Sequence, residues 1–209
     1  MQELYEVKNY KLSEIFYSIQ GEGAYAGTAM LFVRFAGCNL DCSFCDTDYS
    51  VKMELTKQEL VERIRKHCND EFATPVCFTG GEPSLQVGEG FLTDLRRKVI
   101  NVPLHIETNG VRKLDQPQQY ECVTVSPKLP VAECRQQSGT ELKIVFDTSH
   151  PSLLHAIMKG WEYRPFQHKF LQPVTYSDGR TNVAKVVEYI KENPEWRLSL
   201  QTQKMINIQ

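Results

Sequence analysis

The chain has 209 residues, 41% of them apolar and 24% charged, which is the globular average and far from disordered or membrane compositions. Lys and Arg number 24 against 26 Asp and Glu, a net charge of −2 that excludes an overall basic field for a polyanion or a membrane surface. This length predicts one domain over residues 1–209, and it is short for a complete eight-unit (β/α) barrel of about 250 residues. The chain starts without a basic segment followed by an apolar run, and nowhere do about eighteen apolar residues follow one another. A cytoplasmic protein without nucleic-acid or membrane partners is the expectation.

In chain order, Met30–Phe35 reads as the first core strand and leads into the loop Gly37–Cys45. Thr56 and Glu59 form a capping box for a helix over Lys57–His67, in which Leu60, Val61 and Ile64 share a face. A strand at Val76–Thr79 runs into Thr79-Gly80-Gly81-Glu82-Pro83, and a helix follows over Gly90–Ile100. Strands at Leu104–Glu107 and Cys122–Val125 end in Glu107-Thr108-Asn109-Gly110 and Ser126-Pro127-Lys128. A strand at Leu142–Phe146 precedes a helix at Ser152–Lys159 that Gly160 stops. Lys169–Leu171 leads into Gln172-Pro173, a helix over Asn182–Glu192 ends at Asn193-Pro194, and Arg197–Leu200 leads into Gln201-Thr202-Gln203-Lys204.

Alternating strands and helices imply a parallel sheet with right-handed crossovers. The fold class is α/β: an abbreviated, partly open (β/α) barrel of about six parallel strands. In such folds the loops beyond the C-terminal ends of the strands carry the chemistry, and the unusual polar motifs fall there.

Seven cysteines, an odd number with no signal peptide, argue against a disulfide framework. Cys38, Cys42 and Cys45 form a C-x3-C-x2-C loop. Three thiolates can hold three corners of a 4Fe-4S cubane and leave the fourth iron open, whereas structural zinc wants four closed ligands and would need a remote one here. Cys68, Cys77, Cys122 and Cys134 stand singly on or near predicted strands and helices and read as buried apolar residues. His67, His105, His150, His155 and His168 show no ligand spacing and read as surface or packing residues.

With Phe44 just before its last cysteine and the Thr79–Pro83 glycine-rich segment one helix downstream, this loop resembles the signature of the radical S-adenosylmethionine (SAM) superfamily. Within it, Ser18-Ile19-Gln20-Gly21-Glu22-Gly23, Arg34, Asp46-Thr47 and the tail from Arg197 to Gln209 resemble the 7-carboxy-7-deazaguanine synthase family, from about residue 13 to the C-terminus. The resemblance implies a Mg2+-dependent ring contraction of 6-carboxy-5,6,7,8-tetrahydropterin with loss of ammonia, in queuosine or deazapurine biosynthesis. It implies a 4Fe-4S cluster on Cys38, Cys42 and Cys45, and Mg2+ on Thr47. Phe44, Cys45, Asp46, Gly81, Ser126, Pro127, Lys128, Gln172, Pro173, Val174 and Thr175 would bind SAM. Ile19, Gln20, Gly21, Glu22, Arg34, Thr79, Glu107, Gln203 and the C-terminal Gln209 would bind the pterin. No catalytic side chain is implied beyond the SAM-derived radical.

The same resemblance implies a flavodoxin- or ferredoxin-type reductant and a homodimer. The family's tail usually reads Gln-Thr-His-Lys, and Gln203 stands here where the His would be; Gln still hydrogen-bonds but carries no proton near neutral pH. Two other readings are a glycyl-radical activase, which shares the cysteine loop, and a non-catalytic metal-binding interaction module. The Gln20–Gly23 and C-terminal motifs favour the pterin enzyme.

Overall fold

The computed structural model describes residues 9–68, 73–176 and 179–208. All seven expected strands form, as β2 (Ala29–Phe35), β4 (Val76–Gly80), β5 (Leu104–Thr108), β6 (Cys122–Val125), β7 (Gly139–Phe146), β8 (Phe166–Pro173) and β9 (Arg197–Leu198). Each of them pairs in parallel with the next. The four expected helices are α1 (Lys57–His67), α2 (Glu89–Lys98), α3 (Pro151–Trp161) and α4 (Val183–Glu192).

Two strands and one short helix come in addition: β1 (Asn9–Ile19), β3 (Met53–Thr56) and α5 (Thr202–Met205). The long β1 pairs antiparallel with β2 and, through Asn9–Leu12, with β3, so the described sheet runs β3-β1-β2-β4-β5-β6-β7-β8-β9 and is not closed. The sequence hides β1 because Glu14 and Phe16 face the cavity rather than a core, which breaks the apolar alternation that marks a half-buried strand.

The capping box on α1 is present in both directions, Thr56 accepting from the Glu59 amide while the Glu59 carboxylate accepts from the Thr56 amide. Such a cap is worth about 1 kcal/mol, whereas fully burying a side chain such as Leu60 or Ile64 is worth about 1.5–3 kcal/mol, so packing holds the helix and the cap sets its start. Gly160 does not stop α3. The helix continues to Trp161, which is fully buried with its indole N–H donating to the Leu129 carbonyl at 3.2 Å. A Cβ at Gly160 would come 2.9 Å from Cγ1 of Val131, so this glycine serves close approach and not termination.

The sheet separates two environments by strict alternation. On one face Leu31, Val33 and Phe35, Val76 and Phe78, Leu104 and Ile106, Val123 and Val125, and Leu142, Ile144 and Phe146 form the core with the helices. The opposite face carries a small cluster of Met30, Phe32 and Cys77 with Phe16 and Tyr25, and beyond it mixes polar side chains such as Arg34, Glu107 and Lys143 with Val145 and Phe170. Cys68, Cys77, Cys122 and Cys134 are buried thiols, as read from the sequence. Of the histidines, His67 is exposed and His105 is buried with its ring centroid 4.4 Å from that of Tyr25.

Candidate active site

The polar face encloses a cavity of about 470 Å3, within the usual size of a small-molecule site. Its lining brings together residues that the sequence scatters over the whole chain. Arg34 and Thr79 come from β2 and β4, Glu107 from β5, and Ser126 and Lys128 from the loop after β6. Gln172 and Pro173 end β8, with Val174 and Thr175 next. Ile19 enters from the end of β1, Gln20, Gly21 and Glu22 from the β1–β2 connection, Cys38, Cys42, Phe44, Cys45, Asp46 and Thr47 from the cysteine loop, and Gln203 from α5. Gly81 also lines it. Pro127 is buried beside a smaller neighbouring pocket, and Gln209 lies outside the described residues.

The β1–β2 connection is held against the polar face by β7, by β5 and by Ser199 just beyond β9. The Ala24 amide donates to the Glu141 carboxylate of β7 at 3.0 Å, and the Gly23 amide donates to the Ser199 hydroxyl at 3.1 Å. Gln20 donates through its side chain to Glu107 at 2.9 Å. Lys143 of β7 then forms ion pairs with Glu22 and, at 3.3 Å, with Glu107. Burial alone would lower the Lys143 ammonium, but Glu107, Glu22 and Glu141 around it raise it, so it stays charged. Burial pushes Glu22 up, and the Lys143 charge with hydrogen bonds from Lys143, Gln201 and Gln203 brings it net below the usual carboxylate range. Glu141 is raised, chiefly by burial.

Beyond β9 the tail reaches the β1–β2 connection and the cysteine loop. The amide and hydroxyl of Thr202 both donate to the Gly21 carbonyl, at 3.1 and 2.9 Å. Gln201 and Gln203 donate to Glu22 at 2.9 and 3.4 Å, and Lys204 pairs with Asp46 of the cysteine loop. Gly21 is a close-approach position, because a Cβ there would overlap the Gln203 side chain. Gln203 Oε1 is buried without a partner.

At the rim, the fully buried Glu82 carboxylate binds the β4 and β5 loops together. It accepts from the Thr108 hydroxyl and the Asn109 amide, both at 2.7 Å, and from the Ser84 amide at 3.0 Å. The Asn109 side chain continues to Asn39 at 2.7 Å, next to Cys38. Gly80 has φ +131°, and a Cβ on Gly81 would overlap the Gly37 carbonyl, so the glycine-rich strand end and the start of the cysteine loop lie backbone to backbone.

Cys38 and Cys42 are partly buried and Cys45 is exposed, all on one loop with a turn from the Cys42 carbonyl to the Cys45 amide at 3.0 Å. Among the described residues no three Cys, His, Asp or Glu side chains converge on one point. Three thiols on one short loop, two of them partly buried and one exposed at the cavity, are the donor set that a cubane with one open corner takes. Lys128, lowered by burial, donates to the carbonyl and hydroxyl of Ser126 at 2.6 and 2.7 Å. Gln172 Oε1 is buried without a partner beside this end of the cavity, an orphaned acceptor of the kind that a bound N–H donor satisfies.

The family model described as "Radical SAM superfamily" matches residues 32–129, the stretch that carries the cysteine loop and the glycine-rich strand end. A 7-carboxy-7-deazaguanine synthase of Bacteroides thetaiotaomicron is 39% identical over 198 residues, covering 95% of this chain and 98% of the relative. The chain belongs to the 7-carboxy-7-deazaguanine synthase family. A second member, from Bordetella pertussis, is 36% identical over 222 residues, with 95% and 99% covered. The crystal structure of QueE from Escherichia coli has the same fold, with a TM-score of 0.71 at 24% identity over 96% of this chain and 98% of that one. Radical SAM membership implies a 4Fe-4S cluster and SAM.

Glu14 and Lys143 in the lining, and Glu141 behind it, are among the side chains of this 7-carboxy-7-deazaguanine synthase family site that escape a sequence reading. The available signal is a charged residue inside an apolar strand, as in Glu141-Leu142-Lys143-Ile144-Val145, where every second position faces the cavity or its floor. No helix among the described residues is long and apolar enough to cross a membrane.

Proposed function

We propose that this chain, as a single radical SAM domain, catalyses the Mg2+-dependent conversion of 6-carboxy-5,6,7,8-tetrahydropterin to 7-carboxy-7-deazaguanine and ammonia. The observation that carries the reading is one cavity lined by the cysteine loop, by the Arg34 guanidinium and by the Glu22, Glu107 and Gln203 acceptors. When bound, the cluster and SAM would supply one-electron radical chemistry for removing a hydrogen from the substrate.

Cys38, Cys42 and Cys45 would hold the cluster, with iron making them thiolates. Phe44–Asp46, Gly81, Ser126–Lys128 and Gln172–Thr175 would hold SAM, and the Gln172 Oε1 acceptor suits one of its N–H donors. Arg34 would take the substrate carboxylate, since a guanidinium fork matches a planar carboxylate in two parallel bonds. Thr47 would ligate Mg2+, which keeps several waters and takes further oxygens from its substrate. Ile19–Glu22, Thr79, Glu107 and Gln203 would face the heterocycle. Gln203 donates to Glu22 and keeps an open acceptor, so a neutral amide fills this place and no proton is carried there. Enclosure is part of the chemistry, because a primary-carbon radical must meet the held substrate before water or protein. A small electron-transfer protein of the flavodoxin or ferredoxin type is the proposed reductant, and a homodimer the proposed assembly.

The test is anaerobic reconstitution with iron and sulfide, reduction, and incubation with SAM, Mg2+ and the carboxytetrahydropterin, following the deazapurine absorbance and ammonia. Product formation establishes the reaction. Cleavage of SAM without product keeps the superfamily chemistry and overturns the substrate.

A further inference from the structure

We propose that Lys143 is a positioning residue of the substrate pocket, whose ammonium pins Glu22, and through Glu22 the C-terminal segment, against Glu107 as a wall of acceptors for a donor-rich heterocycle. The inference rests on the pterin reading above and adds a residue and a device to it.

Lys143 is 5% exposed in its side chain and lies between two carboxylates that come from different elements, Glu22 at 12% and Glu107 at 23%. Each carboxylate holds something else. Glu107 accepts from the Gln20 side chain, and Glu22 accepts from Gln201 and Gln203. One ammonium therefore joins β7, β5, the β1–β2 connection and the tail. The charged groups facing it are Glu22, Glu107 and Glu141, with Lys128 and the Cys77 thiol further off. Two lining carboxylates, Glu22 and Glu107, against one adjacent ammonium leave the pocket wall rich in acceptors, and Gln203 Oε1 adds one without a partner. The complement is a ligand edge with several N–H donors, such as an aminopyrimidinone.

Lys143 is not a proton donor in this arrangement, since its neighbours hold it charged. Its work is to keep the buried Glu22 ionised and in place. Without it, burial acts on Glu22 unopposed by a cation, and the carboxylate takes up a proton in the range where it now stays ionised.

The experiment is calorimetric binding of the stable probe 6-carboxypterin from about pH 5 to about pH 8, the span over which a buried carboxylate would titrate, to the wild type, Lys143→Gln, Lys143→Arg and Lys143→Gln/Glu22→Gln. Hydrogen exchange of residues 202–206 is followed in parallel. The wild type is expected to bind with no acid limb from Glu22. Lys143→Gln is expected to lose about tenfold or more in affinity, further as pH falls, and to exchange faster in the tail, the loss expected for hydrogen bonds to charged groups. Lys143→Arg restores most of the binding. The double variant removes the isolated carboxylate, which keeps it folded; its binding is weak and loses the Glu22 limb, because the anchor of the tail is gone. Lys143→Gln, or the double variant where the single one does not fold, binding like the wild type with unchanged tail exchange overturns the proposal. Absence of binding by the wild type overturns the pterin reading and this inference with it.

Discussion

Arg34 donates through Nε to the Glu14 carboxylate across the β1–β2 ladder at 2.6 Å, while its guanidinium carbon lies 5.4 Å from the centroid of the Phe16 ring. Glu14 is the direct cross-strand partner of Arg34, so the antiparallel register itself sets this contact. The pair and the ring together restrict the side chain proposed to take the substrate carboxylate.

Arg34→Ala is expected to assemble the cluster and bind SAM normally and to lose about 10–100-fold in kcat/KM for the carboxylated substrate, the size of one hydrogen-bonded charge contact. Arg34→Lys recovers little, since an ammonium does not reproduce the planar fork. Steady-state kinetics beside SAM-cleavage rates check this, and wild-type kinetics in Arg34→Ala count against the carboxylate role.

Glu82→Gln replaces a buried carboxylate that accepts three hydrogen bonds by an amide whose NH2 must face a donor. The expected cost is about 1–3 kcal/mol, and for a chain of this size each kcal/mol lowers Tm by about 2–4 °C. Thermal unfolding measures it; an unchanged Tm would show that the carboxylate does not hold the two loops.

Gly81→Ala pushes a Cβ into the Gly37 carbonyl and against Cβ of Cys38 at 3.1 Å, so the cysteine loop has to shift. Iron retained per chain after reconstitution is expected to fall well below that of the wild type. Gly90→Ala is the control, because a Cβ there meets nothing within 4 Å, and on a helix it gains up to about 1 kcal/mol.

Glu141 and Glu22 give opposite pH signatures. Glu141 is raised, mainly by burial, so between its unfolded and folded values the folded state holds more protons and stability falls as pH rises. Glu141→Gln should flatten that slope above the usual glutamate range. Glu22 is lowered on balance, so its contribution is present above its unfolded value and is lost as pH falls through the folded one. Glu22→Gln should therefore lose stability near neutrality and little in acid. Unfolding midpoints across pH for both variants decide, and parallel curves would contradict the assignment.

Thr47 sits two residues after Cys45, with its hydroxyl 3.4 Å from the Asp46 carboxylate that Lys204 pairs with. Thr47→Ala is expected to raise the Mg2+ concentration for half-maximal activity with the cluster intact. A Mg2+ response equal to that of the wild type would remove Thr47 from the metal site.

The parts legible in the sequence are those that neighbouring residues encode. Apolar runs marked all seven parallel strands, the Thr56–Glu59 spacing marked the start of α1, and the cysteine loop and glycine-rich segment stand at strand ends because a parallel sheet collects its loops there. Tertiary structure alone decided what those loops do to one another. Gly160 reads locally as a stop, yet burial of Trp161 outweighs a propensity of about 1 kcal/mol and carries the helix past it. Glu14 meets Arg34 through strand register across 20 residues, and Lys143 meets Glu107 and Glu22 across 36 and 121. A buried ammonium is tolerated only where folding brings carboxylates to it, and no window of contiguous sequence contains that pairing.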